Sequence, residues 1–135
     1  MTENFKNENI TSIPEKEAFE KLGFKLVHIG VNCENKEEAQ KNAMLVSSLF
    51  GYEFKPGNKS TFAGTDFEFM HMPFYGKNGH IAIGTYSPDR ARAYLETMGV
   101  EFIEETAAYD EKGKLKVVYL KEEICGFAIH LVKKK

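Results

Sequence analysis

Three of the four histidines in this chain occupy matching positions of an internal repeat. Residues 28–31 (His-Ile-Gly-Val) match residues 80–83 (His-Ile-Ala-Ile), and each segment opens one copy of the repeat. The segments that close the two copies carry Glu68 and His130 at equivalent positions. Neutral imidazoles and a carboxylate are ligands that Zn²⁺, Ni²⁺, Fe²⁺ and Mn²⁺ accept in proteins. The repeat therefore predicts one divalent metal site. Its predicted ligands are His28, Glu68, His80 and His130.

The residues around the opening histidines have the alternation of a half-buried strand. Side chains of successive strand residues point to opposite faces of a sheet, so His28 and Gly30 share one face and Ile29 lies on the other. The second copy repeats this pattern with His80 and Ala82. Glycine and alanine leave space next to the histidines, which favours a ligand-binding face over a filled core.

Helix caps and turns divide the rest of each copy in the same order. Asn35 and Ser87 are predicted to cap helices that end at Gly51 and Gly99. Three short strands follow each helix. The predicted fold class is α+β, with two tandem βαβββ modules that form a curved mixed-sheet cup. Residues 1–23 are expected to be a tail and a short helix, and residues 24–135 one domain. Within that domain we expect module one at 24–72, a linker at 73–79 and module two at 80–132.

Composition excludes several classes of function. The chain has 135 residues, a net charge of −2 and no basic stripe, so nucleic acid is not an expected partner. No apolar run approaches the roughly 20 residues that span a bilayer, and the first residues lack the apolar segment of a secretory signal. Cys33 and Cys125 have no CxxC spacing and are interpreted as reduced thiols. We expect a cytoplasmic protein with a small-molecule substrate.

A structural interpretation of the histidines stays open at this point. A single inward-facing histidine on a strand is more often a hydrogen-bonded structural residue than a metal ligand. The placement of three histidines and a carboxylate at duplicated positions favours the metal site. His71 falls on the opposite strand face from Glu68 and is interpreted as structural or surface. Lys116 and Lys121 could meet an anionic substrate, but a solvated face is the favoured interpretation.

Duplicated βαβββ modules with metal ligands on their first and last strands resemble the vicinal oxygen chelate superfamily. This superfamily includes glyoxalase I, the bleomycin resistance proteins and the extradiol dioxygenases. The resemblance covers residues 24–132. It implies that His28 is the first-strand ligand, that Glu68 closes module one and that His80 opens module two. Glyoxalases close module two with a glutamate that moves the substrate proton, whereas this chain has His130.

Three segments show a closer resemblance to a domain attached to some 2-keto-3-deoxy-6-phosphogluconate aldolases. They are residues 28–35, 79–85 and 120–124. The aldolase barrel itself needs roughly 200 residues or more, which this chain does not have. The aldolase activity would therefore belong to a neighbouring domain.

Two functions follow from these resemblances. The first is a metal-dependent lyase or isomerase of the glyoxalase type, acting on a small oxygenated substrate (a carbonyl compound or a sugar acid) through an enediolate. Glu68 and His130 are its candidate proton carriers. The alternative is a non-catalytic module that binds a metal or a small molecule, formerly an accessory domain of a sugar-acid aldolase. In either case we expect a homodimer, because open sheets leave edges and apolar surface to cover.

Overall fold

The computed structural model describes residues 15–134. This part of the chain forms three helices and eight strands. The helices are α1 (Glu15–Leu22), α2 (Lys36–Phe50) and α3 (Pro88–Thr97). The strands are β1 (Lys25–Asn32), β2 (Phe54–Pro56), β3 (Ser60–Ala63), β4 (Phe67–Met70), β5 (Gly79–Thr85), β6 (Phe102–Tyr109), β7 (Leu115–Ile124) and β8 (Phe127–Lys133).

The strands form one mixed sheet in the order β2-β3-β4-β1-β5-β8-β7-β6. Strand β1 pairs with β4 in parallel, whereas β2–β3, β3–β4 and β6–β7 are antiparallel pairs. Along the chain, β1-α2-β2-β3-β4 is followed by β5-α3-β6-β7-β8. The predicted α+β class and the twofold βαβββ order are therefore confirmed.

The starts of α2 and α3 and the end of α2 lie where the sequence signals indicate, whereas α3 ends at Thr97 with Met98 as its cap, before the predicted stop at Gly99. The side chain of Asn35 accepts a hydrogen bond from the backbone N–H of Glu38 and so caps α2. Gly51 adopts a left-handed conformation (φ 80°) at the end of this helix, which glycine does without steric cost. Ser87 caps α3 in the same way, and Pro88 occupies the first turn, where its missing N–H is not needed.

The described residues divide into two compact units. The first contains the residues up to 26 together with 83–122 and the segment from 129 onward, and the second contains 27–82 and 123–128. The boundaries fall inside β1, β5, β7 and β8. The first unit thus holds most of the predicted module two, and the second holds most of module one. The single domain at 24–135 stays a prediction.

Each unit has its own hydrophobic core. The buried core residues of the first unit are Leu22, Ala91, Phe102, Leu115, Val118 and Leu131. Those of the second unit are Cys33, Ala39, Ala43, Ala63 and Phe69. In the second unit, the two alanines lie four residues apart on α2, so the helix approaches the sheet closely along this line. The core therefore occupies one face of β3 and β4, and the opposite face is left for other groups.

None of the three described helices is long and apolar enough to cross a membrane.

Candidate metal centre

The parallel pairing of β1 with β4 brings two of the predicted ligands together. Gly30 is the register partner of Glu68, and His28 lies two residues before Gly30 on the same strand face. The Nε2 atom of His28 is 3.2 Å from Oε1 of Glu68. Two ligands that are distant in sequence are therefore neighbours because of a single strand pairing.

The absence of a side chain at Gly30 makes room for the third ligand. A Cβ atom at this position would overlap the imidazole ring of His80, at Cε1 and both nitrogens. The His80 ring therefore lies directly against the backbone of β1. Its side chain is 3% exposed, which fixes the ring in place, while its Nε2 lies 3.1 Å from Oε1 of Glu68.

The three donor atoms form a nearly equilateral triangle. The third side, between Nε2 of His28 and Nε2 of His80, measures 3.2 Å. Ligands about 2.0–2.1 Å from a divalent metal lie about 3.0 Å apart at right angles and about 3.4 Å apart at tetrahedral angles. The observed separations of 3.1–3.2 Å fall between these limits. The donor set therefore fits three adjacent coordination positions of one ion.

Hydrogen bonding alone does not account for this triangle. A neutral imidazole carries at most one proton on Nε2, and an ionised carboxylate only accepts hydrogen bonds. With both rings neutral, at least one of the three contacts would place two donors or two acceptors opposite each other. Three lone pairs directed at one cation remove this conflict. The chemistry of His28, Glu68 and His80 thus suits a metal.

The carboxylate of Glu68 is held in its charged form. Burial by itself raises its pKa, but hydrogen bonds from His28, His80 and Ser60 outweigh this effect and keep the pKa well below its usual range. Ser60 donates through Oγ to Oε2 of Glu68 over 2.6 Å. The charged carboxylate is the form that binds metal.

The centre is partly exposed to solvent. The side chains of His28 and Glu68 are 15% and 16% exposed. The ring of Phe62 contacts His28 edge-on, with 5.5 Å between the ring centroids. One ligand is thus buried, two are partly exposed, and an aromatic ring lies against one of the two exposed ligands.

His130, the fourth predicted ligand, lies in the first unit on β8. Its ring contacts Tyr119 with 4.8 Å between centroids, and its Nδ1 is 3.2 Å from the carbonyl oxygen of Leu131. Like His28 and His80, His130 has a ring nitrogen that could bind a metal ion. The role of His130 as a ligand or a proton carrier stays a prediction.

No protein-family profile matches this chain, and no curated protein matches it. Solved structures do match. A variant of methylmalonyl-CoA epimerase from Streptomyces coelicolor, in complex with 2-nitronate-propionyl-CoA, is 18% identical with a TM-score of 0.57 over 82% of this chain and 94% of that chain. Methylmalonyl-CoA epimerase from Mycobacterium tuberculosis is 14% identical with a TM-score of 0.56 over 82% of this chain and 87% of that one.

A hypothetical protein from Bacillus halodurans is 17% identical, with a TM-score of 0.56 over 83% of this chain and 95% of that chain. The chain has a glyoxalase-like fold. The resemblance to the vicinal oxygen chelate proteins is therefore confirmed for the fold. The resemblance to the domain attached to some aldolases stays a prediction.

Within this glyoxalase-like fold, His71 has a structural environment. Its Nε2 lies 2.8 Å from Oγ1 of Thr61, and its Nδ1 lies 3.1 Å from the carbonyl oxygen of Asn58. These contacts connect the segment after β4 to the β2–β3 turn and to β3. They agree with the interpretation of His71 as a structural residue.

Two neighbours of Glu68 were not predicted from the sequence. Ser60 and Phe62 lie on β3, and the antiparallel register pairs Phe62 with Glu68 and Ser60 with Met70. These two pairs of residues therefore lie on the same face of the sheet. A turn at 64–66 could have indicated these neighbours, because pairing the residues on either side of it in order places Phe62 opposite Glu68.

Asn32 secures the segment that leads into β5. Its side-chain amide donates to the carbonyl oxygen of Gly76 over 2.8 Å, and its Oδ1 accepts from the N–H of Phe74 over 3.3 Å. Gly76 has a φ of 85°, where a Cβ would overlap the Gly79 carbonyl oxygen. The predicted linker is thus bound to the end of β1, close in sequence to His80.

Proposed function

We propose that this protein is a metal-dependent lyase or isomerase of the glyoxalase type. The substrate would be a small oxygenated molecule, such as a carbonyl compound or a sugar acid, and the reaction would pass through an enediolate. One observation carries the proposal: three donor atoms from His28, Glu68 and His80 lie 3.1–3.2 Å from one another on one face of the sheet.

His28, Glu68 and His80 would hold the metal, and the repeat adds His130 as a fourth ligand. A bound divalent ion (Zn²⁺, Ni²⁺, Fe²⁺ or Mn²⁺) would polarise the oxygen atoms of the substrate. Two histidines and one carboxylate on adjacent positions are also the set found in sites with open coordination positions, which a substrate needs.

Proton removal next to the substrate carbonyl needs a base within reach. Glu68 and His130 are the candidates. Glu68 faces the two histidines, and it could accept the proton only if it left the metal. His130 would act if its ring were not itself a ligand. Two of the fold neighbours are epimerases by name, which supports isomerisation, and their CoA compounds suggest thioesters as substrates to include.

Metal content is the first test. Wild type should hold about one divalent ion per chain, and the double variant His28→Ala/His80→Ala should hold much less. His71→Ala is the matched control, because it removes a partly buried histidine of the same unit that is not in the donor set. Elemental analysis of the three purified proteins measures this. Equal metal content in wild type and the double variant would reject the site.

Hydrogen exchange at carbon is the second test. Formation of an enediolate exchanges the proton next to a carbonyl with solvent, so NMR in D₂O detects it without knowledge of the product. The compounds would include 2-oxo acids, 2-hydroxy carbonyl compounds, sugar acids and methylmalonyl-CoA. Metal-dependent exchange that His28→Ala/His80→Ala abolishes would support catalysis. Metal binding without exchange on any compound would favour the non-catalytic module.

We also propose a cytoplasmic location. Within residues 15–134, Cys33 and Cys125 are both free thiols, one buried and one exposed, which suits a reducing compartment. Cell fractionation measures it, and recovery of the protein in an oxidising compartment would reject it.

A further inference from the structure

We propose that Ser60 is a positioning residue that holds Glu68 as a one-oxygen ligand. The inference rests on the proposed metal site and adds a residue that the repeat does not contain. Ser60 is buried on β3, on the sheet face that carries Glu68. Its Oγ donates to Oε2 of the carboxylate over 2.6 Å, a short contact to a charged acceptor.

The two oxygens of Glu68 have separate partners. Oε1 lies 3.1–3.2 Å from the Nε2 atoms of His28 and His80, whereas Oε2 faces Ser60. Rotation of the carboxylate away from this position would break the Ser60 hydrogen bond and take the acceptor away from a buried hydroxyl. The arrangement therefore directs one oxygen toward the histidines and restrains the other.

This restraint has a consequence for the division of roles. A carboxylate that acts as a base must leave its ligand position and reach the substrate, and the hydrogen bond from Ser60 opposes that movement. Ser60 thus favours Glu68 as a fixed ligand. Of the two candidate bases this leaves His130, on the condition that its ring is not itself a metal ligand. Hydrogen-bonding partners of metal ligands commonly contribute about 10–100-fold to metal affinity.

The test compares three variants on strand β3. Ser60→Ala removes the hydroxyl, Ser60→Thr keeps it, and Thr61→Val is the matched control. Thr61 is the next residue, is fully buried and contacts His71 on the opposite face, so its loss affects β3 without touching Glu68. Zn²⁺ affinity would be measured by competition with a chromophoric chelator, and ligand geometry by the visible spectrum of the Co²⁺ form.

We expect Ser60→Ala to bind Zn²⁺ about 10–100-fold more weakly than wild type and to change the Co²⁺ spectrum. Ser60→Thr should recover most of the affinity, and Thr61→Val should bind like wild type. Unchanged affinity and spectrum in Ser60→Ala, or an equal loss in Thr61→Val, would overturn the role of Ser60 and leave the metal site standing. A wild-type protein that binds neither ion would overturn both proposals.

Discussion

Gly30 contributes to the candidate site through the space that it leaves. It has no unusual backbone conformation, yet the His80 ring occupies the place of its side chain. We therefore expect Gly30→Ala to displace the ring and weaken metal binding by at least about tenfold, and to cost about 1–3 kcal/mol of stability by overpacking. Metal affinity and urea unfolding of the variant measure the two effects.

A second substitution separates this steric effect from a general effect on β1. In a His80→Ala background the ring is absent, so Gly30→Ala should no longer reduce the free energy of unfolding. An equal loss of stability with and without the His80 ring would show that alanine disturbs the strand itself.

His130 stands where glyoxalases have a glutamate. Metal ligation would occupy its available lone pair, so we expect little or no wild-type activity on a glutathione hemithioacetal with Ni²⁺ or Zn²⁺. His130→Glu should increase the rate, within the 10²–10⁴-fold range, roughly, that a positioned proton carrier contributes. Steady-state rates of both proteins decide this. Robust wild-type turnover, or a loss on installing glutamate, would contradict the assignment.

The alternation of side chains along a strand was enough to assign His28, Gly30 and Glu68 to their sheet face, because successive residues point to opposite faces. It was not enough for Ser60. Alternation assigns faces within one strand, whereas the contact between Ser60 and Glu68 depends on the register between two strands. The exact approach of His80 to Gly30 also required the three-dimensional positions of β1 and β5.

At the scale of elements, the turn between β6 and β7 is stabilised by one carboxylate. Oδ1 of Asp110 accepts hydrogen bonds from the backbone N–H groups of Lys114 and Lys112 over 2.9 and 2.8 Å. The Lys114 backbone hydrogen bond is the largest cause of a pKa below the ordinary value for this group. The negative charge therefore stabilises this hairpin turn.

We expect this contribution to depend on pH in one direction. Because the pKa of Asp110 is lower in the folded chain than in the unfolded chain, its stabilisation is present above about pH 4 and is lost as the pH falls through the folded value. Asp110→Asn should therefore be less stable than wild type at neutral pH. The difference should shrink below about pH 4 in urea unfolding measurements. A difference that stays constant on acidification would contradict this.

The elements themselves were largely readable from the sequence, since caps and glycine stops are local signals. Asn35, Ser87 and Gly51 act as expected. The cap of α2 differs from a regular capping box in one detail: Glu38 accepts from the N–H of Glu34, one residue before the capping residue Asn35. The order of the strands in the sheet depends on long-range pairing, which these local signals do not give.

At the scale of the whole molecule, α2 presents an apolar surface to solvent in this chain. Leu45, Leu49 and Phe50 are 55%, 64% and 71% exposed. Apolar side chains of this size gain free energy when they are covered. This supports the expectation of a homodimer. Light scattering at micromolar concentration should give about twice the chain mass of 15.3 kDa, and a mass near that of one chain would contradict it.

The parallel pairing of β1 with β4 has a kinetic consequence. His28 and His80 are 52 residues apart in sequence, with α2, β2, β3 and β4 between them along the chain, so we expect the donors to meet late in folding. A site that forms late binds the native state and not the transition state. At a metal concentration 100 times Kd we therefore expect unfolding to slow by about 100-fold with little change in the refolding rate. Stopped-flow measurements with and without Zn²⁺ would show this, and faster refolding would mean that the histidines meet early.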